Sequence, residues 1–226
     1  MKFISLSLTC CLLLIFSACG TEPAPATEAE TTTPEVTEVA PVETAPQGLS
    51  IGDVAPDFEL TGTDGEVHSL ATTMANGEAA KGHIVVFTCN TCPYAKMYED
   101  RLVALHEAME PLGYPVVAIQ PNDVSIKPGD NMEAMQTRAA DKGFGFAYLL
   151  DADQTVFPVY GASKTPEVYL LDAERVLHYH GAIDNSAQDA ASATEKYVEM
   201  AVAALEAGTA PEPAEVKAIG CSIKAK

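Results

Sequence analysis

The apolar positions of this chain change period several times after residue 50, and each change marks an element. His83-Ile84-Val85-Val86-Phe87-Thr88 is a continuous, β-branched apolar run, which predicts a strand buried on both faces. From Pro93 to Met109 the period lengthens. Tyr94, Met97, Leu102, Leu105 and Met109 recur at three- and four-residue steps, an amphipathic helix stopped by Pro111 and Gly113. Pro115–Gln120 reads as a second buried strand. A loop with Asn122, Pro128 and Gly129 leads to a helix over Met132–Lys142, a strand over Phe146–Leu150 and a short helix over Gln154–Tyr160, bent or begun by Pro158. Asp57–Leu60 and Glu66–Leu70 flank Asp64-Gly65 and predict a hairpin; Glu167–Asp172 and Arg175–His180 predict another. Ala187–Ala207 reads as a long Ala-rich helix. The succession predicts one α/β domain, a central mixed sheet flanked by helices, with the first hairpin as an N-terminal extension.

Ahead of residue 50 the pattern is different. Lys2 is the only charge in the first 18 residues, and an apolar run from Phe3 to Phe16 follows. The run is short for a membrane-spanning helix and reads as a signal peptide over residues 1–18. Small residues then precede Cys19, an arrangement that resembles a bacterial lipobox. That resemblance implies cleavage before Cys19, lipidation of its thiol and a membrane-anchored lipoprotein in the cell envelope, facing the periplasm. Gly20 after the cysteine leans toward the outer membrane. The competing reading is an ordinary signal peptide with Cys19 incidental. Residues 19–49 carry six Glu and no Lys or Arg among Thr, Pro, Ala and Val. They offer too little apolar surface to fold and read as an extended, self-repelling tether.

Residues 50–226 are one domain's worth of chain, long enough to bury roughly 70% of the unfolded surface. The formal net charge is −19. The tether's six Glu account for six of those charges and Lys2 offsets one, leaving about −14 on the domain. There is no basic cluster, which argues against nucleic acid as a partner. A solvated acidic surface favours solubility and repels anionic headgroups.

The chain has six cysteines. Cys10 and Cys11 leave with the signal peptide, and Cys19 would be lipidated. Cys89, Cys92 and Cys221 remain, an odd count that in an oxidising compartment means one pair and a leftover thiol. Cys89-Asn90-Thr91-Cys92-Pro93 stands between the buried strand and the amphipathic helix. A disulfide across so short a loop restricts the unfolded chain little, so the spacing predicts a redox site rather than a structural staple. The first turn of the helix offers unpaired N–H groups and a partial positive charge, and Pro93 suits its first position. A thiolate at Cys89 is favoured there. A thiol of pKa about 8.5 is about 3% ionised at pH 7, whereas one near 6 is about 90% ionised and also leaves better when a mixed disulfide resolves. The expected order is attack by Cys89 on a substrate disulfide, then attack by Cys92 on Cys89.

Ser163-Lys164-Thr165-Pro166 lies just before the predicted strand Glu167–Asp172. With the two cysteines at a strand-to-helix junction, this arrangement resembles the thioredoxin superfamily. The resemblance implies that Thr165 and a cis Pro166 sit opposite the cysteines, with backbone that docks an incoming peptide. Gly52-Asp53-Val54-Ala55-Pro56-Asp57-Phe58-Glu59-Leu60, followed by Asp64-Gly65, resembles the N-terminal signature of AhpC/TSA-type, peroxiredoxin-like redoxins. That branch includes membrane-anchored thiol–disulfide reductases of the TlpA and ResA type. The likeness runs from Ile51 to about Ala207. Phe87–Leu102 and the tail Gly220-Cys221-Ser222-Ile223-Lys224 also resemble a bacterial redoxin group that often ends in an aromatic after the Lys, where this chain has Ala225. What the resemblance implies is a thioredoxin-like fold and a thiol–disulfide oxidoreductase acting on disulfide-containing exported proteins. It would draw on an electron donor and need no cofactor.

Two other functions stand beside this one. Peroxiredoxins carry Pro-x-x-x-Thr-x-x-Cys; here Gly82 and Val86 stand at the Pro and Thr positions relative to Cys89, and Val85 and Cys89 stand there relative to Cys92, so the peroxidase pattern is absent. A CxxC can also hold a metal ion. His178 and His180 share a strand face and could join Cys221 or the CxxC in a Sco-like copper site, although such sites space their cysteines by three. Pro93 stands where a haem attachment motif requires His. Four residues are candidate modulators, each with a plainer alternative. Tyr94 covers the disulfide or packs in the core. Lys96 lowers a thiol pKa or is solvated. Glu167 relays protons near Cys92 or is an edge-strand carboxylate. Cys221 is a third redox thiol or a small buried hydrophobe.

Overall fold

The computed structural model describes residues 48–226; the signal peptide expected over 1–18, Cys19 and the tether up to residue 47 lie outside the described residues. The chain runs through β1 (Leu60–Gly62), β2 (Val67–His68), a small ribbon of β3 (Met74–Ala75) and β4 (Glu78–Ala79), β5 (Gly82–Phe87), α1 (Pro93–Met109), β6 (Val116–Gln120), α2 (Met132–Lys142), β7 (Ala147–Leu150), α3 (Phe157–Tyr160), β8 (Lys164–Thr165), β9 (Glu167–Asp172), β10 (Leu177–Gly181), α4 (Tyr197–Glu206), β11 (Glu215–Val216) and β12 (Cys221–Ser222). The main sheet has the order β11-β10-β9-β5-β6-β7-β1-β2. β5, β6 and β7 are parallel, whereas β9 runs antiparallel to β5 and β1 antiparallel to β7. This is the α/β, thioredoxin-like fold expected, with a central mixed sheet flanked by helices and the β1–β2 hairpin as its N-terminal extension.

β5 occupies the middle because every one of its side chains is buried. Strand side chains alternate between faces, so a continuous apolar run feeds two cores at once. Ile84 and Val86 join Tyr98, Leu102 and Leu105 of α1 and Val198, Ala201 and Val202 of α4. Val85 and Phe87 point the other way, toward Tyr160 of α3, Phe58 and Leu70. Each fully buried aliphatic side chain contributes roughly 1.5–3 kcal/mol, so the centre of the sheet is its most firmly held part. One charge on the buried face of α1 is answered: the Glu99 carboxylate accepts both Nε and Nη2 of Arg138 from α2, each at 2.7 Å.

Several expected elements differ in extent: the strand expected over Glu66–Leu70 is confined to Val67–His68, that over Arg175–His180 is Leu177–Gly181, and three further differences have a visible cause. The helix expected over Ala187–Ala207 is confined to Tyr197–Glu206, preceded by a short 3₁₀ turn at Ala190–Ser192. Asn185 and Asp189 are responsible. The Asn185 side-chain oxygen accepts the N–H of Thr194 at 3.0 Å, and the Asp189 carboxylate accepts the N–H of Ala191 at 2.9 Å. These bonds compete with a helical ladder and win despite the alanines. The first strand begins at Leu60 rather than Asp57, because the Asp57 carboxylate brackets the hairpin from outside, accepting the N–H groups of Phe58 and Leu70 at 2.8 Å. The helix expected over Gln154–Tyr160 keeps only Phe157–Tyr160, since the Asp151 carboxylate takes the N–H groups of Thr155, Val156 and Phe157. No described helix is long and apolar enough to cross a membrane.

Candidate active site

β5 ends at Phe87, and the Thr88 N–H carries its pairing one step further onto the Ile119 carbonyl. The chain then turns through Cys89-Asn90-Thr91 and enters α1. Cys92 is the N-cap and Pro93 the first helical residue, where a missing N–H costs nothing. The turn is held from the side by a buried carboxylate. Asp130 accepts the Thr91 N–H at 2.9 Å, the Thr91 hydroxyl at 2.8 Å and the Asn122 amide at 2.9 Å. Asn90 is fixed too: its amide donates to the Gly129 carbonyl and its oxygen accepts the Tyr148 hydroxyl at 3.0 Å.

Opposite the turn stands β8, joined to β9 by a cis Thr165–Pro166 peptide. Thr165 meets both sulfurs. Its hydroxyl lies 3.4 Å from Cys89 Sγ, and its carbonyl accepts the Cys92 thiol at 3.1 Å. Both cysteines are free thiols only 3% exposed. They open onto a cavity of about 170 Å³ lined also by Pro93, Asn122, Lys127, Cys221 and Lys224. The outer edge of β8 is occupied by the chain itself: β12 pairs with it, Cys221 opposite Thr165 and Ser222 opposite Lys164. The backbone expected to dock a peptide is therefore already covered by the C-terminal strand.

The two sulfurs share their protons, which come off in two steps belonging to the pair. A thiolate on Cys92 is strongly favoured, with its pKa pushed down to about 4. The neighbouring Cys89 thiol contributes most; the Cys221 thiol and the N–H groups of Ala95 and Cys221 add to it and together outweigh burial. Cys89 moves the other way, held up by Cys92, by burial and by the Asp130 carboxylate. The reason is placement. Of the first-turn N–H groups, that of Ala95 favours the Cys92 thiolate, whereas Cys89, the thiol that the linear spacing marks for this field, gains only the Cys92 N–H. When the remaining proton sits on Cys92 instead, it bonds the Thr165 carbonyl, and the Thr165 hydroxyl is free to donate to a Cys89 thiolate.

The candidate modulators separate. Tyr94 is half-buried and packs against the three-cysteine cluster. Lys96 is exposed and lines the adjoining groove with Asn90, Thr91 and Glu133, outside the cavity that holds the sulfurs. Glu167 is buried, and its polar contacts are to His180 Nε2 at 2.8 Å and to the N–H groups of Ser163 and Lys164. Burial pushes its pKa up, but these donors outweigh it and hold the carboxyl below its usual range. Glu167 thus shapes the loop that carries Thr165. His178 and His180 do not converge on the cysteines: each bonds a carboxylate, Asp172 and Glu167 respectively. Among the described residues no cluster of three or more His, Cys, Asp or Glu is arranged to hold a metal ion. Sequence reasoning missed Asp130, Asn122 and Tyr148. An Asp two residues before a helix reads as a helix-capping signal, and its bond to a turn 39 positions earlier leaves no local trace.

Residues 51–180 match the AhpC/TSA family. No curated protein matches the chain. Among solved structures, an uncharacterized conserved protein from Geobacillus kaustophilus is 34% identical, over 81% of this chain and 96% of that one, with a TM-score of 0.71. A hypothetical protein from Sinorhizobium meliloti 1021 is 31% identical, over 81% of this chain and 99% of its own, with a TM-score of 0.72. The thioredoxin domain of a thiol-disulfide oxidoreductase from Bacteroides vulgatus is 20% identical over 57% of this chain and 86% of that one, with a TM-score of 0.47.

Proposed function

The chain belongs to the AhpC/TSA family, and from that premise and its paired thiols we propose that it is a thiol–disulfide oxidoreductase. One observation carries the reading: two free thiols at the β5–α1 junction both touch Thr165 and share one cavity with a stabilised thiolate. In the reductive direction, a thiolate attacks a substrate disulfide and releases one substrate thiolate. The second cysteine then attacks the mixed disulfide, the substrate leaves as a dithiol and the enzyme retains the Cys89–Cys92 disulfide. We assign the first attack to Cys89. A proton shift onto Cys92 creates the Cys89 thiolate, and the Thr165 carbonyl and hydroxyl support that state. A sulfur as acidic as Cys92 is a weaker nucleophile and a better leaving group. Substrates would be disulfide-containing exported proteins and reduction would require a separate electron donor. The N-terminal pattern Phe3–Phe16 followed by Cys19 supports placement in the cell envelope through a lipid anchor.

The test is a redox titration of the full chain, with Cys89 and Cys92 followed by thiol labelling and mass spectrometry. A reversible two-electron couple is expected. A midpoint near about −270 mV would mark a thioredoxin-like reductant and one near about −120 mV an oxidant. Absence of a reversible Cys89–Cys92 couple refutes the proposal. Rapid turnover of peroxide with no disulfide exchange would replace it with a peroxidase. For the order of attack, Cys92→Ser is expected to trap a mixed disulfide on Cys89; trapping only by Cys89→Ser reverses the assignment.

A further inference from the structure

The function above uses two cysteines, but the structure gathers three. Cys221 begins β12 and lies in register with Thr165, the residue that touches both Cys89 and Cys92. It packs into the same cluster as the pair and lines the same cavity. The two thiols, Cys92 and Cys221, are near enough for each to bias the protonation of the other. Cys221 is only half-buried, which sets it apart from an inert core filler.

The strand that carries it is fitted to this position. A side chain at Gly220 would run into the Thr165 carbonyl, so only glycine lets β12 approach this closely. Beyond the cysteine, the Ile223 N–H bonds the Ser163 carbonyl at 3.1 Å, and the Lys224 N–H bonds the Asn122 side chain at 2.8 Å. The Lys224 carbonyl accepts the Asp123 N–H at 2.8 Å and the Gln154 amide at 2.9 Å.

We propose that Cys221 is a third redox thiol, which exchanges disulfide with Cys92. Starting from the Cys89–Cys92 disulfide, the Cys221 thiolate attacks Cys92 Sγ. The Cys92–Cys221 bond forms as the Cys89–Cys92 bond breaks. The electron pair leaves on Cys89 Sγ, which takes up the proton that Cys221 gave away, so no outside oxidant is consumed. The exchange frees Cys89 and moves the disulfide onto the C-terminal strand, which covers the edge of β8. This inference rests on the redox reading of the CxxC, but it is tested without Cys89.

The experiment compares the full wild-type chain with Cys89→Ser and Cys92→Ser. Each is oxidised with diamide, blocked with N-ethylmaleimide, digested with trypsin without reduction and read by mass spectrometry. Circular dichroism confirms that each variant is folded. In Cys89→Ser, peptide 82–96 is expected to be joined to peptide 218–224 within a monomer, with labelling of Cys221 lost. In Cys92→Ser, Cys221 labelling is expected to persist. In the wild type, the same inter-peptide link is expected alongside the Cys89–Cys92 link. Persistent labelling of Cys221 in oxidised, folded Cys89→Ser overturns the proposal, as does a link found only between chains. If Cys89→Ser forms the intramolecular link while the wild type forms no Cys89–Cys92 disulfide, Cys221 pairs with Cys92 directly, and both the exchange step and the function proposed for the CxxC fall.

Discussion

Replacing Gly220 by alanine adds a single methyl group at the point where β12 meets β8. An ideal Cβ there lies 2.3 Å from the Thr165 oxygen, 2.7 Å from its carbonyl carbon and 3.2 Å from Pro166 N. All three are backbone atoms, so no side chain can swing aside. Comfortable carbon contacts begin near about 3.5 Å, so β12 must retreat by roughly 1 Å. Overpacking of this kind costs about 1–3 kcal/mol. The cost falls on the C-terminal strand because the two cores on either side of β5 do not include Gly220. Detachment of β12 should therefore become more frequent by a factor of roughly 5 to 150, at about tenfold per 1.4 kcal/mol. The assay is the native-state rate of Cys221 alkylation by N-ethylmaleimide in the reduced full chain, followed on peptide 218–224, with urea unfolding measured in parallel. Faster labelling with a nearly unchanged urea midpoint is expected. A labelling rate indistinguishable from wild type would refute the argument that Gly220 sets the approach of β12.

Three further predictions concern the pair and its supports. The Cys92 pKa is lowered from an ordinary 9.0 to about 4, so its contribution to stability is full above pH 9 and is lost as pH falls through 4. The difference in urea-unfolding free energy between the reduced wild type and Cys92→Ala should shrink as pH falls across that window; a flat difference would sink the idea. Asp130→Asn puts an amide where the carboxylate received Thr91 and Asn122, which should cost about 1–3 kcal/mol in urea unfolding. It also removes one of the influences that hold up the Cys89 pKa, so the alkylation profile of Cys89 should move to lower pH. Asp184→Ala leaves the Tyr98 hydroxyl and Arg101 guanidinium without their shared acceptor, at 2.9 and 2.7 Å, and should destabilise the domain by about 3–5 kcal/mol. A loss below about 1 kcal/mol would show that solvent replaces that acceptor.

Some of this molecule is written locally. α1, α2 and β9 begin and end at the residues their patterns mark, because signals such as Pro93 at the start of α1 and Pro111 and Gly113 beyond its end act over a few positions. The hairpin around Asp64-Gly65 and the burial of β5 on both faces follow from the same short-range signals. The spacing of Cys89 and Cys92 and their seat between strand and helix are local as well. Where side chains reach back to the backbone, at Asn185, Asp189 and Asp151, periodicity overstated the helices, because hydrogen-bond competition depends on a loop's shape as well as its composition.

The chain alone determined that two thiols would sit at the mouth of a buried strand. Only the tertiary structure decided which neighbours they meet. Asp130 reaches Thr91 across 39 positions, and Thr165 reaches Cys92 across 73. Cys221 comes alongside because β12 returns to pair with β8. Charge on a sulfur responds to whatever lies within a few ångströms, however distant in sequence. The acidity of the pair, the covered docking edge and the place of the third thiol beside the pair therefore became visible only when the C-terminal strand was folded back onto the site.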